Sequence, residues 1–204
     1  MDQPYRDQGL NKIYNLLFCD KIEPYRTANE TSGYPWDVLM ADKPEIAALN
    51  TIAMDRDLES RQRLLACHLL MQQNQTPDNQ ELMGVIVEVA LPEGLDVLAA
   101  FSDGTARYIN HSEKILVWET PTNESEQLII ELFNESVAVV NQIGPWEGER
   151  KPAPGTDMIR LSFLVSDGLY FGEGPFEVLQ DDPMGGPVIQ AATNLMAYLT
   201  STQS

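Results

Sequence analysis

From Glu81 to Glu119 the chain reads ELMGVIVEVALPEGLDVLAAFSDGTARYINHSEKILVWE, a stretch that makes sense only as an antiparallel meander. Runs rich in Val, Ile and aromatic residues are separated by Pro92-Glu93-Gly94, Ser102-Asp103-Gly104 and Asn110-His111-Ser112. Asp-Gly between apolar runs is a strong hairpin signal, and it predicts positive φ at Gly104 and at Gly168, which ends a second Ser-Asp-Gly. In the first run Val85, Val87, Val89 and Leu91 share one face, and Ile86 and Ala90 flank Glu88 on the other. A strand apolar on nearly both faces belongs in the interior of a sheet. The third run, Thr105 to Asn110, sets Arg107 and Ile109 against Ala106 and Tyr108 and is expected nearer solvent.

Helical spacing frames this meander. Leu10, Ile13, Tyr14 and Leu17 predict a short amphipathic helix, and Ile46, Leu49, Ile52 and Ala53 a second one after Asp42-Lys43-Pro44-Glu45. Leu58, Leu64, Leu65, Leu69 and Leu70 predict a third, with Asp57 as its cap. The polar stretches Asp20 to Tyr34 and Gln72 to Gln80 read as a surface loop and a linker. Downstream, Asn123-Glu-Ser-Glu126 has the spacing of a capping box, and Ile129, Ile130, Phe133, Val137 and Val140 predict the buried side of a long helix. The last helix carries Ile189, Ala192, Leu195, Met196 and Leu199, with Pro187 in its first turn.

The expected fold is α+β: residues 1–80 a helical N-terminal region, and residues 81–204 a mainly antiparallel sheet of six or seven strands covered by two long helices, the whole forming one compact unit. Leu98 to Tyr108 and Leu161 to Tyr170 both read strand, Ser-Asp-Gly, strand, and each is followed by a short apolar run and a helix. That order suggests duplication of a hairpin–strand–helix unit, although it is also the ordinary order of an α+β chain.

The charge excludes several classes of function. The 204 residues carry a formal net charge of −18, and residues 81–204 hold five basic against nineteen acidic residues. Nucleic acid and anionic membranes are repelled by such a field, whereas a basic protein is attracted. Two cysteines are too few for a disulfide framework, and no apolar stretch is long enough to span a membrane or to open a secretory signal, so a cytoplasmic setting is expected.

No stretch carries a recognisable catalytic or metal motif. Asp55, Asp57 and Glu59 alternate like metal ligands but lack the glycine of a calcium loop. Arg56, Arg61 and Arg63 suggest a helix-turn-helix, yet neighbouring acids cancel their charge. Cys67 and His68 are adjacent on a helix, about 100° apart, and so poorly placed as a nucleophile–base pair. His111 falls in a turn without a second histidine nearby. Asp103 and Asp167 serve hairpin turns, and the glycines after Asp181-Asp182 lack the lysine of a phosphate-binding loop.

One loop stands out. Residues 144–155 form a connection longer than compact domains normally use, and Trp146, Arg150 and Lys151 pair an aromatic with two of the few basic residues of this half. They are the candidate interaction residues. The expectation is a soluble, intracellular, acidic protein without enzymatic activity, cofactor or metal, which binds another protein or a second copy of itself. The competing expectation is a small enzyme or ligand-binding domain whose site is assembled from scattered Asp, Glu, Tyr and Trp residues.

Overall fold

A computed structural model describes residues 2–26, 33–77 and 79–202. Five helices come first: α1 (Gln8–Leu17), α2 (Glu23–Arg26), α3 (Trp36–Leu39), α4 (Ile46–Met54) and α5 (Ser60–Gln72). The meander follows as β1 (Leu82–Leu91), β2 (Gly94–Phe101), β3 (Ala106–Ile109) and β4 (Ile115–Trp118). The chain ends with α6 (Asn123–Val140), β5 (Met158–Val165), β6 (Gly168–Pro175), α7 (Phe176–Gln180) and α8 (Gly185–Ser201). Of the loop expected from Asp20 to Tyr34, residues 27–32 lie outside the described residues, and α2 occupies part of the rest.

The six strands form one antiparallel sheet in the order β4-β3-β2-β1-β5-β6. The fold is therefore α+β with helices at both ends of the chain, in three layers. On one face Leu10, Tyr14 and Leu17 of α1, with Leu49, Ile52, Leu65 and Leu70, pack on Ile86, Val97, Phe101 and Leu164. On the other, Ile129 and Leu132 of α6 and Val188, Ala192 and Leu195 of α8 cover Val85, Leu98, Leu161 and Phe163. The apolar strand β1 lies between β2 and β5, buried on both faces, as its composition requires.

Three local expectations need correction. The short apolar run at residues 176–179 lies in α7 and adds no seventh strand to the sheet, and no residue of this helix is buried. In β3, Arg107 is buried rather than solvent-facing, because its guanidinium turns along the sheet to Glu119 and to the carbonyl of Trp118. The buried side of α6 keeps Ile129 and Val140 as expected and adds Leu132, Ser136 and Val139, while Ile130 and Val137 are exposed. Ser136 hides that stripe from a count of apolar residues, since its hydroxyl is satisfied by the carbonyl of Leu132 and can enter the core.

The helix caps are shifted as well. Thr122, not Asn123, caps α6, because Ser125 three residues on can answer it: each backbone N–H donates to the other's hydroxyl. Glu59 rather than Asp57 stands at the start of α5, where its N–H donates to the Gln62 side chain. Pro44 precedes the first residue of α4 instead of lying in its first turn. Gly104 (φ 84°) and Gly168 (φ 148°) adopt the positive φ expected of them.

Candidate functional site

Residues 144–155 have no regular secondary structure and form a strap from the edge of β6 to α1. The N–H of Trp146 donates to the carbonyl of Leu169 at 2.7 Å, and its indole stands edge-on to Phe171 at 5.2 Å. Lys151 Nζ lies over both rings, at 5.4 and 5.1 Å. Arg150 leaves the surface: it donates to Asp20 at 2.7 Å and to Asn15 at 2.8 Å, and lies 4.0 Å over the Phe18 ring. The three candidate residues thus adjoin one another but divide in role, with Trp146 (43% exposed) and Lys151 at the surface and Arg150 turned inward.

These geometries order two variants. Replacing Arg150 by Ala removes packing and leaves Asp20 without its cation, with an expected loss of about 2 kcal/mol. Replacing Trp146 by Ala removes one half-exposed aromatic contact, an expected loss of about 1 kcal/mol. Urea denaturation of both variants checks the order, and equal losses contradict it.

Beneath the strap lies the most unusual chemistry in the interior. Glu88, in the middle of β1, has no exposed surface. Its Oε1 accepts from the Tyr14 hydroxyl at 2.6 Å; its Oε2 accepts no hydrogen bond and faces Arg160 Nη1 at 3.6 Å. Arg160 is held by Glu173 and by the carbonyls of Lys151 and Pro152. Burial pushes the Glu88 carboxyl above the usual carboxylate range, while the Tyr14 hydrogen bond and Arg160 pull the other way. Its role is to seat α1 on the sheet.

The remaining motifs serve the fold. Arg63 is buried, forked onto Glu81 at 3.2 and 2.7 Å and donating to the carbonyl of Ala53, so it cannot meet a phosphate. Cys19 and Cys67 are free and buried, with thiols pushed up to about 12 by burial, far from thiolate chemistry at neutral pH. His68 bonds the Gln72 side chain, and burial lowers its pKa. Asp103 accepts from the N–H of Ser60 at 2.8 Å and so ties its turn to the start of α5. Asp167 accepts from Tyr170, and Asp182 from the N–H groups of Met184 and Gly185, filling with the chain's own carboxylate the place a phosphate would take. Among the described residues no three His, Cys, Asp or Glu side chains could hold a metal ion, and no helix is long and apolar enough to cross a membrane.

The two edges of the sheet are treated differently. The strap takes a carbonyl of β6 and lays Trp146 and Lys151 over it, whereas among the described residues β4 has no strand or strap on its outer side. The N–H of Asn110 donates to the carbonyl of Lys114 at 3.0 Å. By the alternation of antiparallel ladders, Leu116 and Trp118 then bond to β3, and the N–H and C=O of Ile115 and Val117 point outward. The same two side chains are exposed, 36% and 44%. Sequence reading missed this edge because it noted Ile115 to Trp118 only as a short apolar run and gave it no place in the sheet. The available signal was its position: an apolar strand that closes a meander and is followed by a helix lies at an edge.

No family model matches the chain, and comparison with curated proteins and with solved structures finds none similar to it.

Proposed function

We propose that this chain is a non-catalytic binding module that takes an extended, basic segment of another protein as an added strand on β4. The observation that carries this is the coincidence, at Ile115 and Val117, of outward backbone groups with exposed apolar side chains. Main-chain hydrogen bonds supply affinity in such additions, and alternate side chains supply selectivity. Native sheets usually blunt an edge with charge, proline or a cover, and β4 has none of these on its two outward residues.

A basic partner follows from the surface. Of the five basic residues after Glu81, Arg107 and Arg160 are buried and Arg150 is turned inward, with side chains 6, 4 and 9% exposed. With Glu88 also buried, only Lys114 and Lys151 remain at the surface of this half against eighteen acids, so that surface is more acidic than composition alone indicates. A cytoplasmic setting, where thiols stay reduced, suits the free Cys19 and Cys67.

A synthetic peptide of alternating lysine and valine serves as the probe. Val117→Pro removes one outward N–H without breaking a bond to β3, so the variant is expected to melt within a few degrees of wild type and to bind the peptide at least tenfold more weakly. Binding is also expected to weaken with added salt. Peptide affinity indifferent to Val117→Pro contradicts the assignment. A dimer that the same substitution dissolves would replace the basic partner by a second copy of the chain.

A further inference from the structure

Between the sheet and the first half of α8 runs a cleft that the edge strand does not use. Its inner part, about 200 Å3, is floored by Val89, Leu98 and Ile159 and walled by Ile189, Ala192 and Met196. It meets an outer part of about 420 Å3 at Leu91 and Phe176, under the short helix α7. At roughly 30 Å3 for each water-sized group, the inner part holds a chain of about six atoms.

Every charged residue lining the two parts is acidic: Asp96 within, Asp157 and Glu177 outside. Asp96 is fixed in place, its Oδ2 accepting from the Tyr108 hydroxyl at 2.9 Å and its Oδ1 from the N–H of His111 at 2.5 Å, with His111 Nδ1 at 2.9 Å. A carboxylate offers about four acceptor positions, so this one keeps room for one more donor. An apolar channel whose only charges are carboxylates suits a molecule with an apolar body and a cationic head.

We infer that the cleft between the sheet and α8 is a binding site for a small primary amine with an alkyl or aryl-alkyl body, its ammonium group held by Asp96 and its chain against Ile189, Ala192 and Met196. The site is separate from β4 and does not depend on the partner assigned there.

Methyl-resolved NMR of the wild-type protein, titrated with n-hexylamine and separately with hexanoate, tests this. The amine is expected to shift the methyl signals of Ile189, Ala192 and Met196 in a saturable way, and hexanoate to leave them unmoved. Asp96→Asn is expected to weaken the amine about tenfold. The wild-type comparison needs no variant, so it stands even if that substitution disturbs the turn at His111. No shift at these methyls with millimolar hexylamine, or equal shifts with amine and carboxylate, overturns the assignment.

Discussion

Replacing Arg160 by Met is expected to destabilise the protein by about 3–5 kcal/mol, the largest loss of any single change considered. Arg160 is 4% exposed and is the cation facing Glu88, which has no exposed surface at all. Removing one member of a buried ion pair leaves the other charge in the interior, and that penalty exceeds the net worth of the pair. Adding Glu88→Leu to Arg160→Met is therefore expected to recover much of the loss. The Tyr14 hydroxyl, left without its acceptor, should hold back about 1 kcal/mol of the recovery. Denaturant unfolding of the two single variants and the double variant measures this coupling directly.

The same pair sets a dependence on pH. Burial raises the Glu88 carboxyl in the folded state, so folding favours its protonated form. A raised folded pKa contributes stability that is complete below the unfolded carboxyl value, about 4.3, and is lost as pH rises through the folded value. In Arg160→Met the carboxyl has lost an attraction that favoured its charge, so its folded pKa rises further. The deficit of this variant relative to wild type is expected to be largest at neutral pH and smallest below about pH 4.3. A deficit that grows on acidification would mean that Glu88 is not the group left exposed to the loss.

Gly104→Val is expected to produce the second large effect, about 3 kcal/mol or more. Gly104 sits at φ 84°, where a β-branched residue costs about 1–3 kcal/mol, and a Cβ there would stand 2.8 Å from Cγ of Pro121. The proline ring cannot turn aside, so overpacking adds a further 1–3 kcal/mol. The damage spreads, because Asp103 in the same turn accepts from the start of α5 and Ser102 contacts Ser60. Gly168→Val is the control. Its backbone is also in the positive-φ region, at 148°, but the nearest atom is Cβ of Pro145 at 3.3 Å, so about 1–2 kcal/mol is expected. Equal midpoints of unfolding for the two variants would contradict the contact with Pro121.

The meander was legible because its information is local. Turn residues and alternation specify β1 to β4 within one continuous stretch, and the register follows from the turns. What escaped the sequence depends on partners far away along the chain. Tyr14 meets Glu88 across 74 positions and Arg150 meets Asp20 across 130, so Glu88 read as one polar residue in an apolar strand and Arg150 as a surface charge. The segment Phe176-Glu-Val-Leu-Gln180 fits strand or helix by pattern, and tertiary context decides for the helix. On α6, Ser136 took a core position that apolar counting assigns to a neighbour. The edge at β4 was the costliest omission, since the composition of Ile115 to Trp118 says only that the strand is apolar, while the proposed function turns on which of its backbone groups point away from β3.

Amide hydrogen exchange at four consecutive residues tests the proposed role of β4 most directly. In the free protein the amides of Leu116 and Trp118, bonded to β3, are expected to exchange slowly, and those of Ile115 and Val117, facing solvent, quickly. Saturating lysine–valine peptide is expected to slow Ile115 and Val117 at least tenfold and leave the other two unchanged. If Ile115 and Val117 are already protected in the free protein, or stay fast when the peptide is bound, β4 is not the strand on which a partner is added.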